Sequence, residues 1–501
     1  MVNFDKDGEQ KLIATYKSCI TSISVSDPNN WGNTYTSSNG NLKLTVPSNP
    51  TESVRNETVT ISYSNGKGSC SKTIDISQDA GEPTPPPPPI CQCSGLVTAD
   101  EPLPSYWNTG LPVVVINTPG GQPITSKEVW TEGATIKIYQ NRTTVLYQSD
   151  ALSIRGRGNS SWVYSDKKPY ALKLNEKSEI LGMASSKRWA LLANYADRIL
   201  MRNQIVNEIA QCTDLSTGMG WSPSGKFVEL VLNGQHRGNY YLSEQVRVET
   251  NRLDIDDYSD CLYEIDRNDM DEDYTFRSAV KNFPYHIKSP DAPDVTLLKG
   301  KIDTIENLLN SGSGYKPYLD YNSFADYWIV EELCQNFEVR GSSPGSVYCY
   351  YLADSGVGKL KMGPPWDFDY STFNLYWPLK ANGSYCSGTT VPANGYMPQT
   401  LVISCALYYE PLFNDSEFKA VVKQRWNAIK SRLDAILNRF DYWYNTLNAS
   451  EQLNWAMWQI PSTFEPGHHP DYNMTFLEAK NSAKEFYSAR LTYLNGVINS
   501  F

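Results

Sequence analysis

Two carboxylates stand two residues apart in Trp366-Asp-Phe-Asp-Tyr370, just after Lys359-Leu-Lys-Met362 and the strand-stopping Gly363-Pro-Pro365. In extended backbone, alternate residues share a face. Asp367 and Asp369 are therefore predicted to point one way, with Trp366, Phe368 and Tyr370 pointing the other. Carboxylates this close repel, and the repulsion is relieved by protons or by a cation. A donor set made only of oxygen suits Mg²⁺ or Mn²⁺, with Ca²⁺ as a third option, better than zinc. On its own the pair reads equally as solvated surface acid beside an aromatic cluster.

A second group of candidates lies upstream. Arg155-Gly-Arg-Gly-Asn-Ser-Ser-Trp162 is a loop rich in glycine and hydroxyls, and it offers Gly156, Gly158, Asn159 and Ser160 to a phosphate. Pro169-Tyr-Ala-Leu-Lys-Leu174 follows as a strand carrying Lys173, and a helix is predicted over Arg198–Cys212. Phe227-Val-Glu-Leu-Val-Leu232 and Gly238-Asn-Tyr-Tyr-Leu-Ser243 then make a hairpin about Asn233-Gly234. Strand, glycine loop, lysine strand, helix and two strands is the order of a protein-kinase small lobe. There the loop covers ATP phosphates, the lysine binds two of them, and a helix glutamate holds the lysine. Glu208 or Glu229 would be that glutamate, and Lys173 reads otherwise as a solvent-facing strand residue.

Further along, Leu262-Tyr-Glu-Ile-Asp266 reads as a strand, and Asp269 to Asp273 as a solvated acidic loop. Leu297–Asn310 and Ser323–Gln335 read as amphipathic helices, the second running into Asn336-Phe-Glu338. The helical stripe Phe418, Val422, Trp426, Ile429, Leu433 has Asp415 or Ser416 as its cap, and Phe476–Ile498 is the last helix.

Several segments, in order, resemble the CotH family of spore-coat-type atypical kinases. They are Gly156-Arg-Gly-Asn-Ser-Ser-Trp162, Lys167-Lys-Pro-Tyr-Ala-Leu-Lys173, Trp189-Ala-Leu-Leu-Ala-Asn-Tyr-Ala-Asp197, Met201-Arg-Asn203, Tyr240-Tyr-Leu-Ser-Glu-Gln-Val246 and Gly363-Pro-Pro-Trp-Asp-Phe-Asp369. The resemblance covers about residues 110–500. It implies an α+β atypical kinase fold that binds ATP with Mg²⁺ or Mn²⁺ and phosphorylates Ser or Thr hydroxyls of protein substrates. Under it Lys173 contacts phosphate, the Glu244–Val246 segment meets adenine, Asp367 and Asp369 hold the metal with Asn336, and Glu338 is the catalytic carboxylate. Two positions depart from the family pattern. Glu338 stands where the family has Asp in Asn-x-Asp, and no glycine follows Asp369 in Tyr370-Ser-Thr-Phe-Asn374. An extra methylene shifts the carboxylate by about an ångström, enough to cost about a hundredfold in rate if uncompensated.

The remaining sequence sets the context. At 501 residues the chain is too long for one core. Residues 1–80 alternate in short runs such as Asn41-Leu-Lys-Leu-Thr-Val46 and predict a small immunoglobulin-like β-sandwich. Trp31, Arg55 and Ile76-Ser-Gln78 resemble the BACON modules of Bacteroidetes surface proteins, which implies a glycan-facing role. Cys19 and Cys70 either pair across this domain or stay as buried thiols. Residues 81–110 read as a linker, and its Gly81-Glu-Pro-Thr-Pro-Pro-Pro-Pro-Pro89 run as a polyproline spacer of roughly 28 Å. Residues 111–501 make the second domain, with a small lobe to about 260 and a helical large lobe beyond. A net charge of −11 excludes a broad nucleic-acid surface, and no apolar run is long enough to span a membrane. Four histidines disfavour a His-rich zinc hydrolase. Met1-Val2 is read as standing where a signal sequence has been removed, which makes the chain an exported lipoprotein or periplasmic protein. A rival reading makes the kinase-like domain an inactive platform for carbohydrate or protein, its 33 tyrosines and 13 tryptophans supplying stacking surfaces.

Overall fold

Alternation of apolar and polar residues shapes the first strands. In Asn41–Val46, Leu42, Leu44 and Val46 are buried while Lys43 faces water. The computed structural model describes residues 2–4, 9–15, 22–29, 31, 33–38, 41–47, 49, 53–64, 69–78, 103, 107–256, 259–353, 356–375, 396–461 and 470–501. The chain divides into two units, Met1–Ser94 and Gly95–Phe501. The first holds β1 Val2–Phe4, β2 Glu9–Thr15, β3 Ser22–Val25, β4 Thr34–Ser38, β5 Asn41–Val46, β6 Arg55–Ser64 and β7 Ser69–Gln78. They form two sheets, β1-β7-β6-β3 and β2-β5-β4, which share a core of Leu44, Val46, Val59 and Ile76. Arg55 lies 4.4 Å over the Trp31 ring and donates to Gln78 at 2.8 Å, so three residues singled out in the sequence are one contact. Cys70 is a free, exposed thiol, not a buried one, and Cys19 lies outside the described residues. The proline run of residues 83–89 lies outside them too.

In the second unit the strands expected for a small lobe close on themselves. They are β8 Val113–Asn117, β9 Thr131–Gln140, β10 Thr144–Gly156, β11 Tyr170–Ile180, β12 Met183–Leu192, β13 Gly225–Leu232 and β14 Gln235–Glu244, with the short α1 Ser160–Val163 and α2 Arg202–Gln211 between them. The order is β10-β11-β12-β14-β13-β8-β9, a seven-stranded closed barrel. Its interior is filled by Ile116, Ile138, Ile154, Leu172, Leu174, Trp189 and Leu191 among others. The residues that alternate with these point outward, and Ala190, Leu192, Phe227 and Tyr241 join a larger core beneath the barrel. Asn233 and Gly234 both take positive φ, as a tight hairpin turn requires.

The larger core is completed by β15 Cys261–Ile265, β16 Thr275–Arg277, β17 Pro284–Ser289, α3 Val295–Ser311, α4 Tyr321–Cys334, β18 Val347–Leu352, β19 Lys359–Met362, α5 Tyr409–Leu412, α6 Ser416–Ala435, α7 Leu437–Met457 and α8 Phe476–Asn499. The strands make one sheet, β16-β17-β15-β18-β19. Helix α4 was expected to be amphipathic, but every residue from Ser323 to Cys334 is buried. Its Glu332 accepts N–H bonds from Val402, Ile403 and Ser404 and pairs with Arg490 of α8 at 2.9 Å. A buried carboxylate is tolerated only when paired and bonded in this way. Asp415 caps α6, as read from sequence. No helix among the described residues is long and apolar enough to cross a membrane.

Leu103 and Trp107, placed within the linker by sequence, are buried here, and Trp107 packs with Val113, Val115, Tyr139 and Val231. A fragment beginning at residue 95 is therefore expected to melt cooperatively. One beginning at residue 111, or the Trp107→Ala variant, should lose about 3–5 kcal/mol, the usual loss on truncating a buried tryptophan. Equal urea midpoints for the fragments would count against this packing.

Candidate functional site

The sheet and α4 converge on a cluster of carboxylates. Helix α4 ends at Gln335, whose φ of 52° turns the chain into Asn336-Phe-Glu338. Strand β15 ends at Ile265, just before Asp266, and β19 leads through Gly363-Pro-Pro365 to Asp367 and Asp369. Asp367 takes a left-handed φ of 69°, so the extended backbone read from the sequence is not what presents this pair. Phe368 nonetheless points into the core between two half-exposed carboxylates. The pin is Asn203 of α2, whose side-chain oxygen accepts the Phe368 N–H at 2.9 Å. Arg202 beside it is fully buried, donates to the Thr372 carbonyl at 3.0 Å, and pairs with Asp197 and Asp471.

Electrostatics join these residues. Burial raises Asp367, with Asp266 adding to the shift while Arg157 and a 3.1 Å bond from the Ser346 hydroxyl oppose it. Asp369 is pushed well above the carboxylate range by burial, then by Asp367, Asp197 and Glu338, with Arg157 opposing. Glu338 is pushed up to about 8 by burial and by Asp367, although Arg267 lies 3.5 Å away and pulls the other way. Asp266 is already engaged, taking bonds from the Asn268 and Ser346 N–H groups. The Asp369 carboxylate accepts no hydrogen bond among the described residues and so keeps its lone pairs open.

All donors here are carboxylate oxygens, which fits a hard divalent ion held by one or two carboxylates and completed by water or phosphate. Among the described residues, the one trio of metal-type ligand atoms all within 4.8 Å of one another is elsewhere: Glu264, Asp269 and His286. The Lys288 ammonium fills it, 2.9 Å from Glu264 and 3.5 Å from Asp269. Asp269, expected to be solvated, is thus tied down by Lys288 and His286.

The other sequence candidates sort as follows. Asn336 was read as a metal ligand, but its side-chain oxygen accepts the Glu338 N–H at 3.1 Å and the Ser371 hydroxyl at 2.6 Å. It is 1% exposed and braces the turn carrying Glu338. Glu208 does not meet Lys173: it takes two 2.8 Å bonds from Arg439 and one at 2.9 Å from Trp443, because its face of α2 looks at α7. Glu229 is spent on His236 and Ser450. Lys173 is half-buried on the outer barrel face, paired across the strands with Ser153 and Arg188, and has no ion pair among the described residues. The Glu244 side chain turns inward onto Ser224, and the Gln245 carbonyl accepts from Arg252 at 2.9 Å. Val246 and Trp366 pack on one small cluster with Leu253, Leu262 and Tyr350, which brings the expected adenine-meeting segment to the metal motif. In the glycine loop, Gly156 is buried, Gly158 half-buried and Ser160 exposed, while the Asn159 side chain accepts from Lys127 at 3.0 Å.

Sequence reasoning missed Asp266, Ser346, Arg267 and Arg157. Asp266 carried a usable signal, a carboxylate directly following an apolar strand. The arginines carried none, because their partners are distant in sequence.

Glu338, Asp367 and Asp369 all hold protons in the fold more tightly than in the unfolded chain. Their contribution to stability is complete below the unfolded carboxyl range and is lost as pH rises, for Glu338 through about 8. In EDTA the melting temperature is expected to fall between pH 5 and 8.5. Glu338→Gln should fall less, by on the order of 2 °C. Parallel curves for variant and wild type would show that Glu338 is not crowded in this way.

No curated protein matches the chain. The model of the CotH kinase protein family matches residues 154–494, from the strand that feeds the glycine loop through both aspartates to α8, and the chain belongs to the CotH kinase family.

Proposed function

We propose that the second unit transfers the γ-phosphoryl group of ATP to Ser or Thr hydroxyls of protein substrates, with Mg²⁺ or Mn²⁺. The observation that carries this reading is the cluster of Glu338, Asp367 and Asp369, raised together by burial and mutual repulsion and faced by the glycine-loop cation Arg157. When bound, a divalent ion would offset charge on the phosphates. Asp369 is the residue free to hold it, with Asp367 beside it oriented by Ser346. Glu338 is the proton acceptor for the attacking hydroxyl once a bound cation offsets the Asp367 charge that helps to keep it protonated, and Asn336 fixes its backbone. Lys173, opposite Arg188 and without an ion pair among the described residues, is left for the outer phosphates. Trp366 and Val246 offer an apolar edge to a base.

Cys405 is disulfide-bonded, which favours an oxidising compartment and supports an exported or surface location. The first unit, with its Trp31–Arg55–Gln78 contact, is proposed as the BACON-like module that would localise the chain near glycans.

ATP with Mn²⁺ is expected to raise the melting temperature. Asp369→Asn should abolish that rise without unfolding the chain, since no hydrogen bond is lost. Glu338→Gln should keep the rise but lower transfer from radiolabelled ATP to a Ser-rich acceptor by about 10²–10⁴-fold. A wild type with neither thermal shift nor transfer would favour the binding-platform reading.

A further inference from the structure

Arg157 sits between two glycines that leave its loop little freedom. A Cβ on Gly156 would lie 2.4 Å from the Trp162 ring, and one on Gly158, at φ +84°, would lie 2.2 Å from the Ser161 hydroxyl. The Arg157 N–H is tied to the Pro169 carbonyl at 3.2 Å. So fixed, the loop sends the guanidinium over the ring of Trp366, 5.6 Å from its centre and one residue from Asp367.

Three other arginines are already engaged. Arg202 is locked between Asp197 and Asp471. Arg267 lies 3.5 Å from Glu338 and donates to the Ser343 carbonyl. Arg252 donates to the Gln245 and Arg188 carbonyls. The Arg157 side chain makes no hydrogen bond and no ion pair among the described residues, although its charge is felt by both Asp367 and Asp369. A half-buried guanidinium stacked on Trp366, with no ion pair among the described residues to the carboxylates that feel its charge, keeps its donors open beside the acid cluster. A phosphoryl group carrying a divalent ion has the complementary charge on each side. The planar fork of arginine matches two phosphoryl oxygens at once, which the ammonium of Lys173 cannot do.

We propose that Arg157 is a catalytic residue of this kinase family member, gripping the transferring phosphoryl group from the glycine loop. The inference rests on the phosphoryl-transfer reading above and deepens it. In the step, the bond from the γ-phosphorus to the β–γ bridging oxygen breaks, and its electron pair leaves with ADP. The acceptor hydroxyl oxygen forms the new bond to phosphorus, and its proton passes to Glu338. Arg157 donates to two equatorial oxygens of the phosphoryl group while their negative charge is most exposed.

The test uses the full chain with ATP, Mn²⁺ and dephosphorylated casein, comparing wild type, Arg157→Ala and Arg157→Lys. Arg157→Ala is expected to lower kcat by about 10³-fold or more, the effect of removing an arginine of this kind. KM for ATP should move by less than about fivefold if the contact is made mainly in the transition state. Arg157→Lys should stay close to Arg157→Ala, and free guanidinium ion in the assay should restore part of the alanine variant's rate. Independently of turnover, ADP with aluminium fluoride should bind wild type more tightly than ADP alone, and Arg157→Ala should lose that difference. Transfer within threefold of wild type by Arg157→Ala, with the fluoroaluminate effect intact, would overturn the inference and leave the kinase reading standing. A lower melting temperature without guanidinium rescue would reduce Arg157 to a structural counter-charge and also overturn it. A wild type that neither binds nucleotide nor transfers phosphate would overturn both.

Discussion

Repulsion among carboxylates is the constraint around which the second unit is arranged. Asp197, Asp266, Glu338 and the Asp367–Asp369 pair come from four separate stretches of chain, and their charges act on one another. The fold answers each one differently. Asp197 is neutralised by Arg202, Asp266 is bonded by backbone N–H groups, Asp367 takes a hydroxyl, and Glu338 has Arg267 nearby. Among the described residues Asp369 accepts no hydrogen bond and has no ion pair, with only the charge of Arg157 opposing its neighbours. A merely structural acidic cluster would be expected to satisfy all its members, since unpaired buried charge is costly. Leaving one carboxylate open, at the point of greatest crowding, is what the proposed phosphoryl-transfer site would require.

What holds the crowded groups in place is a second layer of buried polar contacts. Asn203 fixes Phe368, Arg202 fixes Thr372, and Asn336 fixes the backbone of Glu338. Beneath them Arg490 and Glu332 join α8 to α4 in full burial. Exchanging such ion pairs for apolar residues often costs little stability, so their value here lies in fixing direction. Each aims a peptide group or a turn that in turn aims a carboxylate.

The sequence was most readable where a pattern is local. Leu42, Leu44 and Val46 alternate as a half-buried strand must, Asn233-Gly234 supplies the positive φ of a tight turn, and Asp415 caps α6. The aspartate pair and Glu338 were singled out because type and spacing alone suggested chemistry. Their backbone was not legible: Asp367 is left-handed where alternation suggested a strand, a choice imposed by packing around it. Partners far apart in sequence were equally hidden. Glu208 was offered to Lys173 because a kinase small lobe pairs its strand lysine with a helix glutamate, yet Arg439 of α7 claims it. Barrel closure depends on β8 lying parallel to β13, Val113 against Glu229, and no short window carries that pairing.

The buried arginine bridges also set an order on biosynthesis. Asp471, which completes the Arg202 bridge, and Arg490, which secures α4, both belong to the last stretch of the sequence. A chain emerging from the ribosome carries its glycine loop and both aspartates long before these two residues follow. Until they arrive the carboxylates have their mutual repulsion but lack the braces that hold them against it. A chain that has not yet supplied Asp471 and α8 lacks both buried braces, so the turns carrying the carboxylates gain their fixed directions only once α8 has packed.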